Sequence, residues 1–182
     1  RRSSVGFIWQ QTGYNLLSYL TARENVEMPM AFSGLNRRNR RERAEALLEE
    51  VGLKDRMTHH PATMSGAEQQ RAALAVAMAN EPALLLADEP TGEIDSEGAN
   101  AIFETMARLS ENFGVTIVIV THDYNVANRV DRVVGMRDGR ASTELLRRRS
   151  DEGFALSEEE FAVLDRTGRL QLPQAYIQAL EM

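Results

Sequence analysis

Two short, almost unbroken apolar runs, Ala83-Leu84-Leu85-Leu86-Ala87 and Val115-Thr116-Ile117-Val118-Ile119-Val120, organise the chain. Runs of this length have the pattern of buried strands. Between them Ala99, Ile102, Phe103 and Met106 recur at i, i+3, i+4 and i+7, which predicts an amphipathic helix capped by Asp95 or Ser96, with Gly114 just beyond its end. A strand-helix-strand unit runs its strands parallel through a right-handed crossover. Their carboxyl ends then share one edge of the sheet, where open α/β sheets bind ligands. Asp88, Glu89 and His122 are therefore expected at one edge.

Upstream, Ala44, Leu47, Leu48 and Val51 form a second helical stripe closed by Gly52, and Thr21 to Phe32 reads as mostly helical despite Pro29. Residues 20 to 80 thus predict an all-helical insert between strands. The Arg37 to Arg43 run reads as the solvated start of a helix, the alternative being a site for an anionic partner. The segment Val5-Gly6-Phe7-Ile8-Trp9 reads as a strand entered from something earlier, so the expectation is a chain that begins in mid-domain. Downstream, Val133-Val134-Gly135-Met136 followed by Arg137-Asp138-Gly139-Arg140 predicts a hairpin with an Asp-Gly turn.

Composition narrows the function. A net charge of -6 argues against a generic polyanion-binding surface. With no cysteine and three histidines, any metal is expected to be bound through oxygen. No stretch approaches the roughly eighteen apolar residues of a membrane span, which points to a soluble, cytoplasmic chain.

The chemistry is concentrated in Leu84-Leu85-Leu86-Ala87-Asp88-Glu89-Pro90-Thr91-Gly92, a buried strand that ends in two carboxylates. Adjacent acids there are costly unless used. In phosphoryl transfer the first can hold Mg²⁺ and the second can orient and deprotonate water; the plain alternative is an acidic turn. Met64-Ser65-Gly66-Ala67-Glu68-Gln69-Gln70-Arg71 opens a predicted helix whose serine hydroxyl and first N–H groups offer a phosphate seat, and which alone would be only a good helix start.

The order of these pieces, completed by Asp95 and by Thr121-His122-Asp123, resembles the ABC ATPases over roughly residues 5 to 140. The resemblance implies a P-loop NTPase-like α/β core with a mostly parallel sheet, flanking helices and the helical insert. It implies that Gln10 is the Q-loop glutamine contacting Mg²⁺ and water, and that Ser65, Gly66, Ala67 and Glu68 belong to the signature motif. It further implies Asp88 as metal ligand, Glu89 as catalytic base, Asp95 in the D-loop and His122 as the switch histidine. ATP and Mg²⁺ are the implied ligands. The implied partners are a transmembrane permease subunit and a second, head-to-tail nucleotide-binding domain, at the inner face of the cell membrane, with no direct nucleic acid. The segment from Asn15 to Pro29 resembles the lipoprotein-releasing and macrolide-exporter type, which implies export of a lipid-like or hydrophobic substrate. Tyr14, Leu16, Leu17, Tyr19 and Leu20 are the expected docking surface for the permease, or else packing of the insert onto the sheet.

Some features depart from that pattern. G-x-x-x-x-G-K-[ST] is absent: Lys54 is the only lysine and Asp55 follows it. The expectation is an amino-terminally truncated domain that by itself binds ATP weakly or not at all. Ala67 replaces a family glycine, where its methyl is expected to hinder approach to phosphate, and Glu93-Ile94 is unusual before Asp95. Residues 1–150 are assigned to the partial ATPase domain and 151–182 to an accessory extension, a hairpin from Phe161 through the Thr167-Gly168 turn to Pro173 and then a helix from Gln174 to Leu180. Part of it resembles half of an AbrB-type swapped hairpin, which would pack or dimerise rather than read DNA. Competing readings are a non-hydrolysing regulatory module and a nucleic-acid-associated ABC ATPase.

Overall fold

The computed structural model describes residues 5–137, 139–149 and 156–162. It divides into two compact units, residues 1–122 and 123–182.

In the first unit, β1 (Val5–Ile8), β2 (Leu84–Asp88) and β3 (Thr116–Val120) form a parallel sheet in the order β1-β2-β3. The two apolar runs of the sequence are β2 and β3, and α4 (Ser96–Phe113) joins them. Asp95 is its cap, accepting from the Gly98 N–H at 2.8 Å, and Gly114 closes it at φ 60°. Ile102, Phe103, Met106 and Leu109 form its buried stripe. The register sets Asp88 beside Val120, Phe7 beside Leu86, and Leu86 in turn beside Val118. Side chains alternate across a strand, so Gly6, Ile8, Leu85 and Ala87 face the buried side while Asp88 shares the other face with the exposed Phe7, Val118 and Val120.

Among the described residues the chain between β1 and β2 is entirely helix and loop. It contains α1 (Ala22–Phe32), α2 (Arg37–Glu50) and α3 (Gly66–Met78). Val26, Met30, Leu47, Leu48, Leu74 and Met78 are buried. Fully burying a side chain of this kind stabilises by about 1.5–3 kcal/mol, enough to carry α1 through Pro29. The α3 helix approaches β1 so closely that a Cβ at Gly6 would lie 2.8 Å from the Ala77 carbonyl oxygen. The arginine run begins α2, with Arg38 and Arg41 paired to Glu42 and Glu45 one turn on. Arg43 is the exception to a solvated run: its guanidinium donates to the carbonyls of Ala79 at 2.6 Å and Met78 at 3.2 Å, capping the negative end of α3.

In the second unit β4 (Arg132–Arg137), β5 (Arg140–Arg149) and β6 (Leu156–Ala162) form an antiparallel sheet in that order. The β4-β5 hairpin turns through Gly139 at φ 73° and shifts register between Gly135 and Met136. The third strand starts at Leu156 rather than Phe161. The expected turn at Thr167-Gly168, the strand to Pro173 and the helix from Gln174 to Leu180 lie outside the described residues.

Candidate functional site

The carboxyl ends of β2 and β3 meet at Glu89. Its N–H donates to the Val120 carbonyl at 2.9 Å, which ties the turn after β2 to the end of β3. The Thr121 hydroxyl donates to Glu89 Oε2 at 2.9 Å, the His122 N–H donates to Oε1 at 3.0 Å, and His122 Nδ1 lies 2.6 Å from the same oxygen. Glu89 adopts φ 44°, a left-handed conformation that costs a residue bearing a Cβ about 1–2 kcal/mol. That cost is offset by the four contacts just named, and such strain marks positions where a side chain must be aimed. Burial pushes the Glu89 carboxyl up, but bonds from the His122 ring, the Thr121 hydroxyl and the His122 N–H outweigh it and hold the group below its ordinary value. Glu89 is thus an ionised acceptor at neutral pH, 19% exposed, under a histidine ring that is 87% exposed.

Gln10 reaches the same turn. Asn15 closes the loop after β1 by accepting from the Trp9 N–H at 2.9 Å and donating to the Trp9 carbonyl at 2.8 Å. The Gln10 amide then lies over Gly92, with Nε2 3.0 Å from the position a Cβ there would take. Gly92 therefore has a steric role, since a side chain there would press on the Gln10 amide. The structure brings Gln10, Glu89 and His122 to one turn, with Asp88 on the open face of the strand that enters it.

Ser65, Gly66, Ala67 and Glu68 form the start of α3. Ser65 Oγ accepts from the Glu68 N–H at 3.2 Å, and Glu68 Oε2 accepts from the Ser65 N–H at 2.8 Å, a reciprocal capping box. Glu68 Oε1 takes the Arg56 guanidinium at 2.8 Å, so the carboxylate beside this helix start is charge-balanced by an arginine not foreseen from sequence. The Ala67 methyl turns toward α4: a Cβ at Gly98 would lie 3.1 Å from it, 3.1 Å from Asp95 Oδ1 and 2.5 Å from Ile94 Cγ2. The two unusual positions, Ala67 and Ile94, therefore meet around one glycine.

Among the described residues no three His, Cys, Asp or Glu side chains converge as a metal site. The donors present suit Mg²⁺ all the same, because that ion keeps its waters and takes one or two carboxylates together with substrate phosphates. Asp88 and the Gln10 amide oxygen are hard donors of that kind. The lone lysine is not at the site; Lys54 pairs with Glu49 at 2.6 Å.

A parallel sheet ending in this carboxylate turn, with a capped helix start on its helical insert, defines an ATP-binding cassette fold. The ABC transporter family model matches residues 1–92, and the chain belongs to that family. It is 47% identical over 143 residues to the lipoprotein-releasing system ATP-binding protein LolD of Syntrophus aciditrophicus, covering 79% of this chain and 63% of that one. It is also 47% identical over 148 residues to the macrolide export ATP-binding/permease protein MacB of Vibrio parahaemolyticus, covering 80% of this chain and 22% of that one. The solved dimeric ATP-binding cassette MJ0796, in a post-hydrolysis state bound to ADP and Pi, superposes with a TM-score of 0.66 at 40% identity, over 79% of this chain and 63% of that one. The chain therefore spans somewhat under two thirds of the length of its single-cassette relatives.

Proposed function

We propose that this chain carries the hydrolytic part of an ATP-binding subunit that powers an exporter of lipid-like or hydrophobic substrate at the inner face of the cell membrane. The observation that supports it most is Glu89: an ionised, oriented carboxylate at the carboxyl edge of a parallel sheet, next to Asp88, Gln10 and His122. In this reading Glu89 takes a proton from water as the water oxygen bonds to the terminal phosphorus of ATP. The phosphorus–oxygen bond to ADP breaks, and its electron pair leaves on the ADP oxygen. Mg²⁺, held by Asp88 and Gln10, would supply neutralisation of phosphate charge. His122 would donate to the terminal phosphate, while Ser65 with the N–H groups of Gly66 and Ala67 would serve the nucleotide of a head-to-tail partner domain, with Asp95 at the same junction.

The permease is the other proposed partner. Tyr14 and Tyr19 are 75% and 70% exposed, and Leu17 is exposed beside them. Leu16 is buried and leaves this surface, while Leu20 is half-buried. The loop is held from beneath by the buried Asn25, whose amide accepts from the Leu17 N–H at 2.7 Å and donates to the Leu17, Leu20 and Thr21 carbonyls. An aromatic pair on a pinned loop suits a protein interface.

The test is Glu89→Gln in the natural full-length protein. ATP binding is expected to persist while hydrolysis falls by two or more decades, about 3 kcal/mol of barrier. Near-normal hydrolysis would place the base elsewhere, and absence of hydrolysis in the unaltered protein would favour the non-hydrolysing module.

A further inference from the structure

We propose that Thr121 is a positioning residue for hydrolysis: its hydroxyl fixes the rotation of the Glu89 carboxylate and leaves one lone pair of Oε2 for the attacking water. The proposal rests on the ATP-hydrolysis reading and assigns within it which oxygen receives the proton. An ionised carboxylate offers two lone-pair sites on each oxygen. On Glu89 Oε1 both are engaged, by the His122 N–H at 3.0 Å and by the His122 ring at 2.6 Å. On Oε2, among the described residues, only the Thr121 hydroxyl is engaged, at 2.9 Å. Water therefore meets Glu89 at Oε2. The proton passes to that oxygen as the water oxygen bonds to phosphorus and the ADP oxygen leaves with its electron pair.

Anchoring at Oε1 alone would not aim Oε2. The last torsion of a glutamate is a broad sp³–sp² rotation, so a carboxylate held at one oxygen still swings. Of its two holders, His122 has an exposed ring, whereas Thr121 follows β3 directly and is half-buried. Threonine is branched at Cβ and stiff at χ1, so the direction of its hydroxyl follows from the backbone. That backbone is itself tied to Glu89 through the bond from the Glu89 N–H to the Val120 carbonyl. Hydroxyl, carboxylate and strand end form a closed ring of contacts around the oxygen proposed to act.

The experiment uses the natural full-length protein with Thr121→Val, which keeps the shape and removes the donor, and Thr121→Ser, which keeps the donor, each alone and combined with Glu89→Gln. Thr121→Val is expected to lower kcat about ten- to a hundredfold, the scale of a misaimed catalytic group, while KM for ATP and the thermal midpoint stay near those of the unaltered protein. Thr121→Ser should retain most of the rate. Added to Glu89→Gln, Thr121→Val should lower the residual rate no further, because residues that act as one unit are not additive. An unchanged kcat in Thr121→Val, or parallel losses of KM and thermal midpoint that Thr121→Ser does not reverse, overturns the proposal. Should Thr121→Val fail to fold, Thr121→Ala against Thr121→Ser carries the same contrast. A Glu89→Gln protein that still hydrolyses ATP defeats the underlying reading instead, so the two failures are distinct.

Discussion

Two helices of the first unit begin with the same chemistry and end up in different situations. Thr21 and Glu24 at the start of α1, and Ser65 and Glu68 at the start of α3, make the same reciprocal capping box, with the cap N–H donating to the glutamate at 2.8 Å in both. At α1 the next two N–H groups are taken: Ala22 donates to the His59 carbonyl at 2.8 Å and Arg23 to the Met57 carbonyl at 3.0 Å. At α3 the corresponding N–H groups belong to Gly66 and Ala67, and among the described residues neither meets an acceptor. A helix start leaves its first N–H groups unpaired and positive, so α1 is a sealed joint and α3 an open one. The capping motif makes the helix; what packs against it decides whether the end can receive an anion.

The largest test of that contrast removes each cap hydroxyl in the natural full-length protein. Thr21→Ala and Ser65→Ala should each destabilise by about 0.5–2 kcal/mol, the worth of an N-cap. Only Ser65→Ala should also depress ATP hydrolysis, by about ten- to a hundredfold, since a hydrogen bond to a charged group contributes about 1.5–3 kcal/mol. Denaturant titration and steady-state ATPase rates measure the two effects. Equal loss of activity in both proteins would erase the distinction between a sealed and an open start.

The next effect concerns what fixes the open end. Gly98 has no room for a side chain beside Ile94, Ala67 and Asp95. Gly98→Ala is therefore expected to cost about 1–3 kcal/mol of stability through overpacking. Ile94→Leu, which carries no Cγ2, should recover most of that loss when combined with Gly98→Ala, and Ala67→Gly a smaller part. Thermal unfolding of the single and double variants decides it. A neutral Gly98→Ala would mean that α4 does not hold the start of α3.

Much of this frame was legible in sequence. The two apolar runs pointed to β2 and β3, the i, i+3, i+4 stripe to α4, and side-chain chemistry narrowed the α4 cap to Asp95 or Ser96 and marked the stretch from Ser65 as a helix start, because each of these signals lies within a few residues. Glu89 and His122 were placed together by the handedness of the crossover alone. What sequence could not supply were contacts between distant segments: Arg43 on the end of α3, Arg56 on Glu68, Thr121 on Glu89 across 32 positions, and the Ala67 methyl beside Gly98. The left-handed backbone at Glu89 was hidden as well, since nothing in a glutamate announces a positive φ. For Leu16 the sequence leaves the choice between docking surface and packing open, because a short segment of weak periodicity does not say which of its apolar residues turn inward; it is buried.

The smallest expected effect asks whether the two helix starts differ in stability as well as in access. Both glutamates titrate below their ordinary value: Glu24 through the bonds from the Thr21 N–H and hydroxyl, and Glu68 through the Ser65 N–H and then the Arg56 guanidinium. A carboxyl whose folded pKa is depressed contributes stability that is present above its unfolded value, about 4.3, and is lost as pH falls through the lower folded value. Glu24→Gln and Glu68→Gln should therefore each cost about 0.3–1 kcal/mol at neutral pH and be nearly neutral once the pH is below both values. Unfolding by denaturant at a series of pH values from 7 to 3 measures the difference. If the starts differ only in access, the two variants trace similar acid limbs, and added salt reduces the Glu68 contribution somewhat more, because only that carboxylate has a guanidinium at hydrogen-bond distance. A Glu68 contribution several times that of Glu24 at every salt concentration would show that Arg56 serves the stability of α3 first, and the contrast between the two helix starts would then rest on the ion pair rather than on the open N–H groups.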